Sequence, residues 1–195
     1  MSVAEKKTAK KVRLIDAAFE LFTKKGINPT AVDEVVKRAG VAKGTFYLYF
    51  RDKYDLLEQM ITMKCTEIVK RVLEESGEKM NGADVPASEK MIVFLDAMID
   101  ELAANKNLAV LVLRDMAAFR KLWSPDYSRD ESEIYEKLIS IFIDGGCDEE
   151  TAPKTMYMTF ICAASVCCDS ILYESPYTTE EIKPQIHLLV KNLIK

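Results

Sequence analysis

The sequence predicts an all-α protein of about nine helices, and three observations support that fold class. Apolar residues recur at intervals of three and four along most of the chain, whereas the alternating apolar and polar stretches typical of strands are few. The 195 residues include only seven Gly and six Pro, so few breaks interrupt the helical pattern. A hydrophobic content of 49% is enough to bury a substantial core, in one domain or in two small ones.

The first helix is expected to run from about residue 9 to residue 25. Its apolar residues at helical spacing are expected to face inward: Val12, Ile15, Phe19 and Phe22. Beyond it, Thr30 stands before an apolar-periodic run with Asp33 three residues later, which indicates a variant capping box at the start of a second helix.

Two short helices then follow in close succession. Gly40 is placed to end the first of them in the left-handed conformation that Gly adopts at little cost. A further helix begins at once and continues through Phe50. Two short helices joined by a Gly-containing turn are typical of a helix-turn-helix, whose second helix lies in the DNA major groove.

The second helix of this motif has a surface that core packing does not explain. Phe46 and Phe50 are four residues apart and can share one buried face. The other side chains point elsewhere, and they suit contact with bases and phosphates: Lys43, Gly44, Thr45, Tyr47, Leu48 and Tyr49. Asp52 is expected to cap the next helix. Lys53 would be unfavourable beside the positive end of that helix unless it helped to hold a phosphate there.

These residues resemble the DNA-binding signature of the TetR family of transcriptional regulators over about residues 11–57. The matching positions are Thr30, Val35, Ala39-Gly40-Val41, Gly44-Thr45, Tyr47, Tyr49-Phe50 and Lys53, with an upstream helix from Ile15 to Phe22 closed by Lys25-Gly26. Two positions depart from the family's usual pattern, because Val36 stands where Ala is usual and Ala42 stands where Ser commonly caps the recognition helix.

The resemblance also implies roles for individual residues. Base edges would be read by Lys43, Gly44, Thr45 and Tyr47, and Leu48 would lie near the duplex. Phosphates would be held by Thr30, Tyr49 and Lys53.

The charge of the chain is divided between its two parts. Residues 1–53 carry 12 Lys and Arg against 6 Asp and Glu, a balance of +6, whereas the remaining residues carry 15 against 25, a balance of −10. Asymmetry of this kind indicates a nucleic-acid-binding end and a solvated body. We therefore expect a DNA-binding domain over residues 1–52 and a ligand-binding and dimerisation domain over residues 53–195.

The second domain is predicted to begin with a helix from Lys53 to about residue 75. At 1.5 Å per residue this helix would be roughly 35 Å long, which suits a lever between the two domains. A loop at residues 76–87 is indicated by its Gly, Asn, Asp and Pro content. The remaining helices are expected at about residues 88–104, 108–123, 130–143, 149–173 and from 179 to the C-terminus.

The last two predicted helices carry many apolar residues. The first of them is apolar nearly all round, so it must be covered on more than one side. In the TetR family the corresponding helices pair with their symmetry mates, which implies a homodimer through about residues 149–195. A lone helix-turn-helix also needs a two-fold partner to read two half-sites. The alternative is that these helices only complete an intramolecular core.

A second apolar group lies between residues 88 and 160. It consists of bulky or adaptable side chains of the kind that line small-molecule pockets: Met91, Phe94, Met98, Met116, Phe119, Trp123, Tyr157 and Phe160. The resemblance implies that the body holds such a pocket for an effector. The alternative is that these residues are ordinary core.

No pattern indicates an enzyme, a cofactor or a metal site, and the single His187 has no Cys or carboxylate at ligand spacing. Five cysteines without scaffold-like spacing favour free thiols in a reducing cytoplasm. The N-terminus lacks a signal-peptide pattern, and the longest uncharged stretch, residues 155–168, is shorter than the roughly 20 residues that span a bilayer.

The sequence therefore predicts a cytoplasmic, ligand-responsive repressor that binds a palindromic operator as a dimer and is released by a small, mostly apolar molecule. Two alternatives stay open: a constitutive dimeric DNA-binding protein without an effector, and a small-molecule binding protein that has lost its DNA function.

Overall fold

The computed structural model describes residues 3–80, 84–123 and 132–195, and over these residues the protein is all-α, as the sequence predicts. The helices are α1 (Val3–Lys25), α2 (Val32–Ala39), α3 (Lys43–Tyr47), α4 (Lys53–Glu75), α5 (Gly77–Met80), α6 (Ala87–Ala104), α7 (Lys106–Arg114), α8 (Met116–Leu122), α9 (Ser132–Asp144), α10 (Ala152–Tyr173) and α11 (Thr179–Leu193). The chain forms two compact units, Met1–Met63 and Lys64–Lys195, so the division falls within α4.

The first unit has a core built from α1, α2 and the residues around α3. Helix α1 packs on α2 through a buried stripe that includes Leu14, Ile15 and Phe22. The prediction that Val12 faces inward is wrong: it is exposed, because the buried stripe follows residues 14, 15, 18 and 22 and its centre lies roughly 100° around the helix from Val12. Phe19 is half-buried.

Helix α2 begins one residue later than the predicted cap requires. The N-cap is Ala31, whose backbone N–H donates to the Glu34 carboxylate at 2.9 Å, so the capping box predicted from Thr30 and Asp33 is wrong. The same carboxylate pairs with Lys25, and this hydrogen bond is the main reason that the pKa of Glu34 is lowered. At the other end, Gly40 adopts the left-handed conformation (φ 64°), as predicted.

The second unit contains two more helices than expected. The short α5 lies within the predicted loop at residues 76–87, and a single helix predicted over residues 108–123 is divided at Asp115. The Asp115 carboxylate accepts a hydrogen bond from the Ala118 N–H and thus caps α8, as the Asn105 side chain caps α7 through the Leu108 N–H. The predicted break at residues 124–125 and the predicted helix start at residue 130 lie outside the described residues.

Helix α10 is the centre of the second unit, because it packs against α6, α7, α8, α9 and α11. By length and composition it is the one helix among the described residues that could cross a membrane, a property shared by core helices of soluble proteins, and half of its apolar window is buried.

Two ion pairs and one histidine–carboxylate hydrogen bond join α6 to α11. Lys191 pairs with Glu89 at 2.8 Å, His187 lies 2.8 Å from Asp96, and Lys183 pairs with Asp100. At the C-terminus, Ile194 is buried against Gly145, and the Lys195 N–H donates to the Gly145 carbonyl at 3.0 Å. These contacts fix the C-terminal segment on the rest of the second unit.

Candidate nucleic-acid interface and ligand cavity

Helix α3 is held in the first unit by two aromatic side chains. Phe46 and Phe50 are both almost fully buried, and their ring centroids lie 5.5 Å apart. The helix ends at Tyr47 rather than at Phe50 as predicted, although the Phe50 N–H still donates to the Phe46 carbonyl in a final turn. This anchor fixes which side of α3 faces outward.

The outward side of α3 exposes large side chains with apolar surface. Tyr47 is 55% exposed and Leu48 is 75% exposed, and Lys43 and Gly44 are exposed beside them. Thr45 and Tyr49 are half-buried at the edges of this surface. We call these six residues the α3 surface. Six of the eight predicted DNA-binding residues therefore lie on α3 or in the turn that follows it.

Gly44 has no structural reason to be glycine. Its backbone is helical, and apart from its chain neighbours and its own helix backbone, no heavy atom of the described residues would lie within 4 Å of an added Cβ. Glycine in a helix is less favourable than alanine, so the residue is not explained by the stability of the unit. Close approach of a binding partner to the backbone of α3 would explain it.

Lys43 has an intramolecular partner on α2. Its Nζ lies 2.8 Å from the Asp33 carboxylate, and this hydrogen bond is the main reason that the pKa of Lys43 is raised. Both side chains are more than half exposed, so the pair contributes little to stability and can open readily.

Thr30 and Lys53 join the α1–α2 connection to the start of α4. Thr30 is 1% exposed, and its hydroxyl donates to the Gly26 carbonyl at 2.7 Å. This burial does not fit the prediction that the Thr30 side chain holds a phosphate. The Lys53 ammonium donates to the carbonyl oxygens of Asn28 at 2.7 Å and Thr30 at 3.2 Å, which leaves one of its three protons for another acceptor.

Asp52 caps α4, as the sequence predicts. Its carboxylate accepts hydrogen bonds from the N–H groups of Tyr54 at 2.8 Å and Asp55 at 2.9 Å. Because these donors are already satisfied, a phosphate near α4 would be bound by the Lys53 side chain more than by the helix terminus.

The second unit contains a cavity of about 30 Å³ between α6, the end of α8 and α10. Its lining is formed by Phe94, Leu95, Met98, Ile99, Leu102, Phe119, Trp123, Phe160, Ala163, Ala164 and Cys167. A water molecule needs roughly 10–15 Å³ of such space, so the cavity has room for only a few atoms. A larger molecule could enter only if the lining side chains or helices moved.

The structure brings five of the eight predicted pocket residues to this cavity: Phe94, Met98, Phe119, Trp123 and Phe160. The other three do not line it, because Met91 is fully buried elsewhere and both Met116 and Tyr157 are half-buried outside it. Sequence analysis missed the aliphatic residues of α6 and the small residues Ala163 and Ala164 on α10. The helical spacing from Phe94 and Phe160 could have identified them.

The lining of the cavity is apolar and uncharged. Trp123 packs against Phe160 with ring centroids 4.3 Å apart and against Phe119 at 5.9 Å. Burial raises the pKa of the Cys167 thiol to about 12, so this thiol stays neutral at physiological pH. Among the described residues, no group of three or more His, Cys, Asp or Glu side chains could hold a metal ion.

Comparison with known proteins identifies the family of one segment in the first unit. A family model described as bacterial regulatory proteins of the tetR family matches residues 14–60, which contain α2, α3 and the start of α4. The matched segment belongs to the tetR family. The α3 surface therefore lies within the TetR-matched segment.

The chain is similar to TetR-family regulators outside this segment too. It is 34% identical over 107 residues to the fatty acid metabolism regulator protein of Bacillus subtilis (strain 168), an alignment that covers 55% of this chain and about half (53%) of that relative. The fold matches that of the regulator FadR from Bacillus subtilis, solved in complex with stearoyl-CoA, with a TM-score of 0.61 and 23% identity over 94% of this chain and 99% of that one. A TetR regulator from Rhodococcus sp. RHA1 gives a TM-score of 0.69 at 19% identity, over 96% and 97% of the two chains.

Proposed function

We propose that the protein is a transcriptional repressor that binds a palindromic operator as a homodimer and leaves it when an acyl-type effector binds the second unit. The observation that carries the DNA-binding part is the α3 surface, where a helix anchored by Phe46 and Phe50 exposes a lysine, a glycine, a tyrosine and a leucine. Among the described residues, no internal contact accounts for the exposed Gly44 and Leu48, whereas a helix in the major groove does.

Each residue of the α3 surface has a role in this proposal. The base edges are read by Lys43, Thr45 and Tyr47, and Gly44 lets the backbone approach the duplex. Leu48 contacts a thymine methyl group, and Tyr49 together with the remaining Lys53 proton holds phosphates. A good base contact contributes about 1–3 kcal/mol of discrimination. Thr30 contributes indirectly, because it fixes the connection on which Lys53 rests.

Exposed apolar residues on α10 support a homodimer through about residues 149–195. Met158, Cys162 and Val166 are four residues apart, so they lie on one side of α10, and all three are exposed. Leu188 on α11 is also exposed. The opposite side of α10 completes the core of the second unit, so only this outer side remains to be covered by a second copy.

The relatives suggest the class of effector. One is named a fatty acid metabolism regulator, and the solved FadR structure contains stearoyl-CoA. The uncharged, apolar lining of the cavity suits an acyl chain. Entry of the chain would separate α6 from α10 and favour a conformation of the second unit that binds the operator weakly.

The small cavity also favours one alternative, a constitutive DNA-binding protein without an effector. The two proposals differ in whether effector binding and operator binding affect each other. If an effector weakens operator binding, the operator must weaken effector binding by the same factor.

We place the protein in the cytoplasm, with double-stranded DNA, a second copy and a small molecule as partners and no membrane.

The test is selection of genomic fragments by the purified protein, with Tyr47→Ala and Lys43→Ala variants in parallel. The matched control is Lys106→Ala, which removes an exposed lysine from the second unit. We expect a palindromic site that the parent and the control both enrich and that Tyr47→Ala loses. Failure of the parent to enrich any site at moderate salt would contradict the proposal. Decanoyl-CoA is then added to the operator complex, and continued full binding at saturating ligand would favour the constitutive alternative.

A further inference from the structure

Trp123 is a buried tryptophan that lines the cavity of the second unit. It is the only tryptophan of the chain, it follows α8 directly, and only 4% of it is exposed. Its ring lines the cavity between Phe119 and Phe160.

The indole N–H of Trp123 is buried and has no hydrogen-bond partner among the described residues. Buried tryptophans usually satisfy this donor, because an unpaired buried N–H costs free energy. The rest of the cavity lining cannot help, since it consists of aliphatic and aromatic side chains, one methionine and the neutral Cys167. The indole ring thus lines the cavity and carries a buried, unpaired donor, and no oxygen or nitrogen side chain of the lining accepts from it.

We propose that the Trp123 N–H is a specificity-determining donor that binds a neutral carbonyl oxygen of the effector. This inference rests on the proposed acyl-type effector and says which part of it the cavity recognises. A thioester, ester or ketone oxygen accepts a hydrogen bond and carries no donor of its own, so it would leave no polar group unpaired. A carboxylate would be buried without a cation, which is unfavourable, and a plain hydrocarbon would leave the indole N–H unsatisfied.

The experiment compares two soluble probes that differ in one carbonyl group, decanoyl-CoA and its thioether analogue S-decyl-CoA. Binding of both to the parent, to Trp123→Phe and to the control Phe119→Leu is measured by calorimetry. The parent should bind the thioester about tenfold more tightly than the thioether, which is the usual scale of one hydrogen bond. Trp123→Phe should abolish this ratio, whereas Phe119→Leu should weaken both probes alike and keep it.

A second measurement uses the parent protein alone and does not depend on the folding of a variant. The single indole N–H gives one resolvable signal in a proton–nitrogen correlation spectrum. The thioester should shift its proton downfield, and the thioether should not. Equal affinities for the two probes, or the same ratio in Trp123→Phe, would overturn the role of Trp123 but leave effector binding intact. If neither probe bound the parent, both the acyl-type effector and this inference would be overturned.

Discussion

Replacing Gly44 with Ala should separate the stability of the protein from its binding to DNA. The new methyl group meets no atom within 4 Å and the backbone is helical, so the folded state accepts it without strain. Alanine is favoured over glycine in a helix by roughly 0.5–1 kcal/mol, so the free energy of unfolding should rise by up to that amount.

The same methyl group should weaken operator binding. If the backbone at Gly44 lies against the duplex, the added carbon overfills a packed interface, which costs typically 1–3 kcal/mol. That range corresponds to roughly a 5- to 150-fold loss of affinity. Affinity is measured by fluorescence anisotropy on the selected operator at fixed salt, and stability is measured by urea unfolding of the same samples.

The two results together decide the question, because a misfolded variant would lose both stability and affinity. A Gly44→Ala protein that is at least as stable as the parent and binds the operator as tightly would refute the close approach of DNA to α3. A variant that is stable but binds weakly would support it.

Three further predictions concern other parts of the chain. Asp33→Asn should release Lys43, strengthen operator binding and steepen its salt dependence by about one charge. Binding across a series of salt concentrations checks this, and the control is Glu150→Gln, which breaks an exposed pair of equal length (2.8 Å) in the second unit. Gly145→Ala should lower the free energy of unfolding by about 1–3 kcal/mol, because a Cβ there would lie 2.6 Å from the Ile194 Cβ; an unchanged urea midpoint would contradict the packing. Met158→Asp should convert the proposed dimer to a monomer in sedimentation and make Cys162 reactive to alkylation. The control is Ile143→Asp, which changes a separate exposed apolar residue on α9 and should leave the dimer intact.

The sequence allowed the α3 surface to be predicted because two phenylalanines four residues apart determine which side of a short helix is buried. It did not allow the cap of α2 to be predicted, because the N-cap is Ala31, whose backbone binds Glu34, and alanine does not match the usual pattern of a polar cap residue. The division at Asp115 was missed because one capping residue interrupts an otherwise apolar helix.

The cavity shows a different limit of sequence analysis. Bulky residues such as Phe94 and Phe160 stand out in a sequence, but Ala163 and Ala164 help to form the cavity by being small. Met91 shares the apolar stripe of α6 with Met98, yet only Met98 lines the cavity, because the stripe is wider than the space that it borders. Periodicity predicts which face is buried, whereas the position of an empty volume depends on how the helices pack.

The two ion pairs and the His187–Asp96 hydrogen bond between α6 and α11 connect two functions within the second unit. Helix α6 forms one wall of the cavity, and α11 belongs to the proposed dimer interface. An acyl chain that pushes α6 outward must either move α11 as well or break these contacts. Because α11 lies in the proposed dimer interface, its movement in one subunit should change the effector affinity of the other subunit. We expect the effector response of the dimer to be cooperative, with a Hill coefficient above one. Because the pairs are partly exposed and screened by ions, this steepness should decline as the salt concentration rises.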